Sequence, residues 1–184
     1  MFETNTFKMQ QYTLSGSYQA AGAAPEVSQA IQLYRKASLK ATLSKLLSKV
    51  SGRGRRLLIL SEVEKSLKVN NRRYAGVKAV LISQVRGSEG RSDDFDTDFN
   101  PLNERSKDRW LSIAIARQNG VPLPPVELIQ VGDFYFVRDG HHRISVAQAF
   151  GEEAIDAEVT IWHTANPLPW EKVYTPNSLQ VQAV

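Results

Sequence analysis

The residues with the clearest chemical potential are two histidines and an arginine in the run Asp139-Gly140-His141-His142-Arg143. An apolar stretch from Phe134 to Val137 precedes this run, and a helical pattern from His142 to Phe150 follows it. The first backbone amides of a helix lack partners within the helix and lie at its positive dipole end, so they favour an anion. A guanidinium in the same turn can hold two phosphate oxygens in parallel. The run therefore predicts a phosphate-binding turn.

A plainer interpretation of the same run remains open. Gly140 allows a sharp turn or a close approach to a ligand, but Asp139 could simply cap the helix while the imidazoles are surface groups. In the phosphate-binding interpretation, loss of Arg143 should weaken phosphate binding with little effect on folding. A fall in pH toward the ordinary histidine pKa of about 6.5 should strengthen binding through His142.

A second polar segment carries four aspartates. They are Asp93, Asp94, Asp96 and Asp98. A calcium loop is excluded, because Phe99 stands where its glycine belongs and Arg105 where its bidentate glutamate belongs. Two alternatives remain: solvated loop charges, or a Mg²⁺ ion shared between a carboxylate and nucleotide phosphates.

These motifs and their order resemble the ParB N-terminal domain and, more distantly, sulfiredoxin and the related free-serine kinases. The resemblance extends from about Val77 to Val159. The run Gly90-Arg91-Ser92-Asp93-Asp94-Phe95-Asp96 is similar to the Pro-Arg-x-x-Phe-Asp box of ParB proteins. The turn from Gly140 to Arg143 corresponds to Gly-Glu-Arg-Arg in ParB proteins, which contacts cytidine nucleotide phosphates, and to Gly-Cys-His-Arg in sulfiredoxin, which contacts those of ATP.

The resemblance implies a nucleoside triphosphate, CTP or ATP, as ligand, with Mg²⁺ as a further candidate. The phosphate-binding residues it implies are Arg91, Gly140, His142 and Arg143. Phosphoryl transfer would also need a carboxylate base. The catalytic candidates are Asp139, Asp94, Asp96 and Glu127, with His141 in the place of the sulfiredoxin cysteine.

Two departures from these families limit what the resemblance implies. His141 replaces the sulfiredoxin nucleophile, so reduction of a sulfinic acid by that route is excluded. Only about 25 residues follow the last predicted strand, so we expect neither the helix-turn-helix domain nor the dimerising domain that follows this module in ParB partition proteins.

Apolar periodicity predicts the elements that position the motifs. Helices are predicted over 25–52, 57–67, 105–118 and 142–150, and strands over 77–85, 126–131, 134–137 and 155–162, with a hairpin turn at Gly132-Asp133. The expected fold is α/β (α+β), a small mixed sheet flanked by helices, with an N-terminal amphipathic helix packed beside it. The expected organisation is a flexible N-terminus (1–24), a basic helical segment (25–70), the nucleotide-binding domain (71–165) and a tail (166–184).

The first predicted helix is both amphipathic and basic. Its apolar residues recur at spacings of three and four and predict one buried face: Val27, Ala30, Ile31, Tyr34, Ala37, Leu43, Leu46, Leu47 and Val50. Its basic residues have no acidic residue among them: Arg35, Lys36, Lys40, Lys45, Lys49, Arg53, Arg55 and Arg56. Such a run is either a solvated face or a surface that contacts nucleic-acid phosphates.

Composition narrows the classes of function. The chain has no cysteine, which excludes disulfides, zinc thiolate sites and cysteine nucleophiles. Residues 1–78 hold 14 Lys and Arg against 4 Asp and Glu, and the remainder holds 9 against 15. This asymmetry suggests an anionic partner for the first part. No apolar run approaches the roughly 18 residues of a membrane span, so we expect a cytoplasmic protein without a membrane partner.

Three hypotheses follow for the function. The first is a nucleotide-binding module that works as a slow NTPase or a nucleotide-dependent switch, and that could form a homodimer. The second is a small-molecule kinase that resembles the free-serine kinases. The third is a DNA-binding protein or ParB-like nuclease that uses the basic segment 25–56.

Overall fold

The computed structural model describes residues 25–51 and 56–165 together with Leu168 and Trp170. The expectations for the N-terminus (1–24), for Arg53 and Arg55, and for most of the tail (166–184) fall outside the described residues.

Within the described residues, six strands form one mixed sheet in the order β1-β3-β5-β4-β6-β2. The strands are β1 (Leu58–Ile59), β2 (Val69–Leu81), β3 (Val85–Ser88), β4 (Val126–Val131), β5 (Phe134–Asp139) and β6 (Ala154–Thr164). The β4–β5 and β2–β6 pairs are antiparallel, and the other pairs are parallel. The predicted small mixed sheet and its β4–β5 hairpin are confirmed.

The helices flank this sheet. They are α1 (Pro25–Ser51), α2 (Leu60–Ser66), α3 (Lys107–Gln118) and α4 (His141–Ala149), with short 3-10 turns at Ile82–Gln84 and Glu104–Ser106. In α3, Trp110, Ile113 and Ala114 are buried as the periodicity predicts. The Trp110 Nε1 donates a hydrogen bond to Ser145 Oγ at 2.9 Å, which ties α3 to α4. None of the helices in the described ranges is long and apolar enough to cross a membrane.

The long helix α1 packs on α3 and α4 through one face. Its buried residues are Ala30, Tyr34, Ala37, Ala41 and Ser44. The expectation that Leu43, Leu46 and Leu47 share this buried face is wrong, because all three are exposed. With 27 residues α1 is about 40 Å long, whereas the 12 residues of α3 span about 18 Å. The C-terminal half of α1 therefore extends past the helices that cover it.

Two predicted elements differ from the structure in the segment before β3. The strand β2 starts at Val69 rather than Val77, and the predicted helix 57–67 divides into β1 and α2. As an edge strand, β2 pairs only with β6 among the described residues. Its first half includes the exposed residues Asn71, Arg72 and Arg73, so the alternation of apolar residues that would reveal a half-buried strand is missing.

Candidate functional site

A cavity of about 250 Å³ lies where the end of β5 and the start of α4 meet the loop after β3. The strands β3 and β5 are parallel neighbours, with Ser88 opposite Val137, so the segments that follow them emerge at the same edge of the sheet. The cavity is lined by Glu89, Gly90, Arg91, Arg109, Ile113, Arg138, Asp139, Gly140, His141, His142 and Arg143. The structure thus brings together Arg91 and the whole predicted run at 139–143.

Gly140 forms the turn between β5 and α4. It has a φ of +97°, a conformation that L side chains rarely adopt, and a Cβ built on it would lie 2.5 Å from Val126 Cγ1. Gly140 is the N-cap residue, and no side chain in the described part of the chain caps this helix end. The alternative in which Asp139 caps α4 is therefore wrong. The first amides of α4 face the cavity region without a side-chain acceptor.

The Arg143 guanidinium is already engaged within the protein. It donates to the carbonyl oxygens of Pro124 at 2.5 Å and Pro125 at 2.6 Å, and to Asp139 Oδ2 at 2.5 Å. Only 11% of its side chain is exposed, and this burial lowers the pKa of Arg143 while Asp139 opposes the shift. Arg143 therefore ties α4 to the segment before β4. It also lines the cavity, to which it contributes a positive charge.

His141 holds the loop after β3 in place. The Ser88 hydroxyl accepts from the backbone N–H groups of Gly90 at 3.2 Å and Arg91 at 2.9 Å. Because these bonds occupy both lone pairs of the hydroxyl, its proton is donated to His141 Nε2, 2.7 Å away. Burial, followed by the charges of Arg91 and His142, lowers the pKa of His141 to about 4. His141 is thus a neutral acceptor that links the loop to α4.

His142 is also neutral at pH 7. Burial, followed by the charges of Arg109 and Arg91, lowers the pKa of His142 to about 4. The expectation that His142 titrates near its ordinary pKa is therefore wrong, because the imidazole is removed from water. Arg91 Nη1 lies 3.5 Å from His142 Nε2. The His142 Nδ1 atom is buried with no hydrogen-bond partner among the described residues.

The loop that carries Asp93, Asp94, Asp96 and Asp98, the aspartate loop, packs against the site but does not line the cavity. Asp96 is buried, and its Oδ1 accepts from the backbone N–H groups of Asp98 at 3.0 Å and Asn100 at 2.8 Å. Asp94 accepts from Asn103 Nδ2 at 2.7 Å. Both catalytic candidates are thus occupied by the loop itself. The described residues include no group of three His, Asp or Glu side chains placed to hold a metal ion.

Phe95 connects this loop to the histidines. It is fully buried, stacks on His141 with ring centroids 5.9 Å apart, and meets His142 edge to face at 5.2 Å. Its apolar contact is one reason why both imidazoles are desolvated. The aspartate loop therefore acts on the site through Phe95 and through Asp94, whose Oδ2 lies 3.9 Å from Arg91 Nη1.

Sequence reasoning missed four residues at the site. Ser88 ends β3, and the cavity-lining residues Glu89 and Arg138 form an ion pair at 3.1 Å. Arg109 is exposed on α3 and lines the cavity, with no salt bridge or hydrogen bond of its side chain found in the described ranges. No pattern in the sequence indicated this position, because it depends on how α3 packs on α4.

Comparisons with known proteins give a limited result. No family model matches the chain, and no curated protein matches it in sequence. Among solved structures, the chain is similar to sulfiredoxin from Arabidopsis thaliana, at 22% sequence identity and a TM-score of 0.31. The match covers 45% of this chain and 82% of that chain. At this TM-score the similarity carries no argument about the site.

Proposed function

We propose that this chain is a ParB-like nucleotide-binding protein that holds the phosphates of CTP or ATP at the start of α4. The observation that carries the proposal is a helix N-terminus without a side-chain cap that opens onto a cavity walled by arginines. Backbone amides and the positive dipole end attract an anion there, and the arginines supply the charge that makes phosphate the best match.

The charges of the cavity wall support a multiply charged ligand. The cavity lining contains four arginines and two carboxylates. The arginines are Arg91, Arg109, Arg138 and Arg143, and the carboxylates are Glu89 and Asp139. Both histidines are neutral at pH 7, so the wall has a net positive charge. Arg138 and Arg143 already have carboxylate partners. Arg109 has no such partner among the described residues, so a ligand could bind it without breaking an existing ion pair. Arg91 comes next, since its Nη1 lies 3.9 Å from Asp94 Oδ2.

The size of the cavity suggests which part of a nucleotide it holds. Its volume of about 250 Å³ is slightly below the roughly 300 Å³ at which pockets for drug-sized ligands begin. The phosphates fit inside, and the base would lie at the rim. We therefore expect weak discrimination between bases. A Mg²⁺ ion bound between the phosphates and the exposed Asp139 carboxylate would reduce the electrostatic repulsion between these negative groups.

Calorimetric titration with CTP, ATP and GTP, each with and without Mg²⁺, tests the proposal. Loss of Arg109 should weaken triphosphate binding about tenfold or more, because a charge-assisted hydrogen bond contributes about 1.5–3 kcal/mol. The matched control is Arg105→Ala, since Arg105 is exposed nearby but does not line the cavity. The proposal is wrong if no triphosphate binds better than about millimolar, or if the two variants bind equally.

A second candidate function is phosphoryl transfer to a small hydroxyl substrate. Its support is Asp139, a carboxylate at the cavity with 58% of its side chain exposed. Such a group could accept the proton of an acceptor hydroxyl. ADP release measured across free amino acids distinguishes the two functions, because a switch or slow NTPase shows no turnover that depends on the acceptor.

A further inference from the structure

The C-terminal half of α1 carries an exposed apolar stripe, the leucine seam, formed by Leu39, Leu43, Leu46 and Leu47. Between 56% and 64% of each residue is exposed. The seam lies opposite the face through which Ala30, Tyr34, Ala37 and Ala41 dock. Large apolar residues clustered on an exposed face indicate an interaction site rather than a random surface.

The spacing of the seam matches that of a coiled coil. Leu39, Leu43 and Leu46 follow one another at intervals of four and three, which are the intervals between core positions of a heptad. At 100° per residue the seam covers about 100° of the helix, a narrow stripe that suits one partner helix. On this register Lys40 flanks the seam on the side of Leu47, and Arg35 and Thr42 flank it on the other side.

The charges around the seam specify the partner. Arg35 and Lys40, the charged residues that flank the seam, are exposed, and no salt bridge to either occurs in the described ranges. Within α1 the single acidic residue is Glu26, in the first turn. In a coiled coil, the residues that flank the seam select partners by opposite charge. A partner for this helix therefore carries carboxylates beside its own apolar seam.

Other occupants fit the seam less well. A second copy of α1 would place basic residues opposite basic residues. The terminal segments 1–24 and 166–184 contain only Glu3 and Glu171 as acidic residues. A nucleic acid would satisfy the lysines but would leave the leucines exposed to water. We propose that the leucine seam binds an acidic amphipathic helix of a partner protein.

A designed peptide can represent the partner in a direct test. We would label a synthetic helical peptide with leucines at the core heptad positions and glutamates beside them, and titrate it with the full chain by fluorescence anisotropy. A matched peptide carries lysines in place of the glutamates. The glutamate peptide should bind, the lysine peptide should not, and added salt should weaken binding.

Variants connect the binding to the seam. The double substitution Leu43→Ser and Leu46→Ser should weaken binding at least about tenfold. The control Val121→Ser, at an exposed apolar residue outside α1, should not change it. The double variant Arg35→Glu and Lys40→Glu should reverse the preference and bind the lysine peptide more tightly. A surface that binds apolar peptides nonspecifically would not show this reversal.

Several outcomes would overturn the proposal. Equal binding of the two peptides would show that the seam does not select its partner by charge. Binding of neither peptide would show that the seam does not bind an acidic amphipathic helix. Phosphatidylserine vesicles or duplex DNA that bind more strongly than the peptide, and lose binding in the leucine variant, would assign the seam to a lipid surface or to nucleic acid. Sedimentation showing a dimer that the leucine variant abolishes would assign it to a second copy of the chain.

Discussion

At the scale of single residues, Arg143 shows how the same side chain can support both a site and a fold. From sequence, its role was phosphate binding alone, and its loss was expected to affect folding little. In the structure it donates to Pro124, Pro125 and Asp139. Any effect of Arg143 on a ligand is therefore mixed with an effect on stability.

We accordingly predict that Arg143→Ala lowers the free energy of unfolding by about 1.5–3 kcal/mol, because it removes charge-assisted hydrogen bonds that a mostly buried guanidinium donates to Pro124, Pro125 and Asp139. Thermal unfolding without ligand measures this change. Arg138→Ala is the matched control, since Arg138 has one exposed carboxylate partner and should change stability by less than about 1 kcal/mol. Equal melting temperatures for wild type and Arg143→Ala would contradict the observed contacts.

The two buried histidines predict a pH dependence of stability. Their pKa values are about 4 in the folded chain, whereas an unfolded histidine has a pKa of about 6.5. Below pH 6.5 the unfolded chain binds more protons, so stability is greatest above this pH and falls as the pH decreases toward 4. The loss should reach about 1.4 kcal/mol per pH unit for each imidazole.

Urea unfolding between pH 8 and pH 5 measures this loss. His142→Gln should reduce the slope below pH 6.5, because it removes one of the two imidazoles whose pKa is lowered by burial. A slope that is the same in the wild type and in His142→Gln would show that the His142 imidazole is not neutral in the folded state.

At the scale of elements, the start of α4 depends on Gly140. This position has no room for a side chain, and its φ of +97° is one that L residues rarely adopt. We predict that Gly140→Ala lowers stability by more than about 2 kcal/mol, because strain at positive φ is added to a clash with Val126. Gly151→Ala is the control, since Gly151 has a φ of +79° but open space around it. Chemical unfolding of both variants separates strain from crowding, and similar losses would rule out the clash.

The loop after β3 and the helix α4 are coupled through Ser88. Ser88→Ala removes an acceptor from two loop amides and the donor to His141. We predict a stability loss of about 1–3 kcal/mol and weaker triphosphate binding, although Ser88 does not line the cavity. Crystal structures or amide exchange rates of residues 89–91 would show the loosened loop. Unchanged exchange there would contradict this coupling.

Local signals explain which elements were predicted from sequence. The hairpin at Gly132-Asp133 and the helix after Gly140 have turn residues beside clear apolar runs, and both are confirmed. The early start of β2 was missed because its first half is a polar edge, and the short strand β1 was missed because pairing with β3 defines it. The position of Arg109 at the cavity depends on how α3 packs on α4, which no local pattern reveals.

At the scale of the whole molecule, positive charge is presented on two separate surfaces. One is the cavity at the start of α4, where arginines surround helix amides. The other is the exposed face of α1, where basic residues accompany the leucine seam. The charge asymmetry seen in the sequence therefore has two distinct structural counterparts, and a test of nucleotide binding has to tell them apart.

Amide chemical shifts of the full chain, followed during titration with sodium triphosphate, make that distinction. We predict that the largest shifts occur at the backbone amides of His141, His142 and Arg143, and that Arg109→Ala reduces them. Largest shifts along the basic face of α1, or no shift at the start of α4 at saturating triphosphate, would contradict the phosphate site.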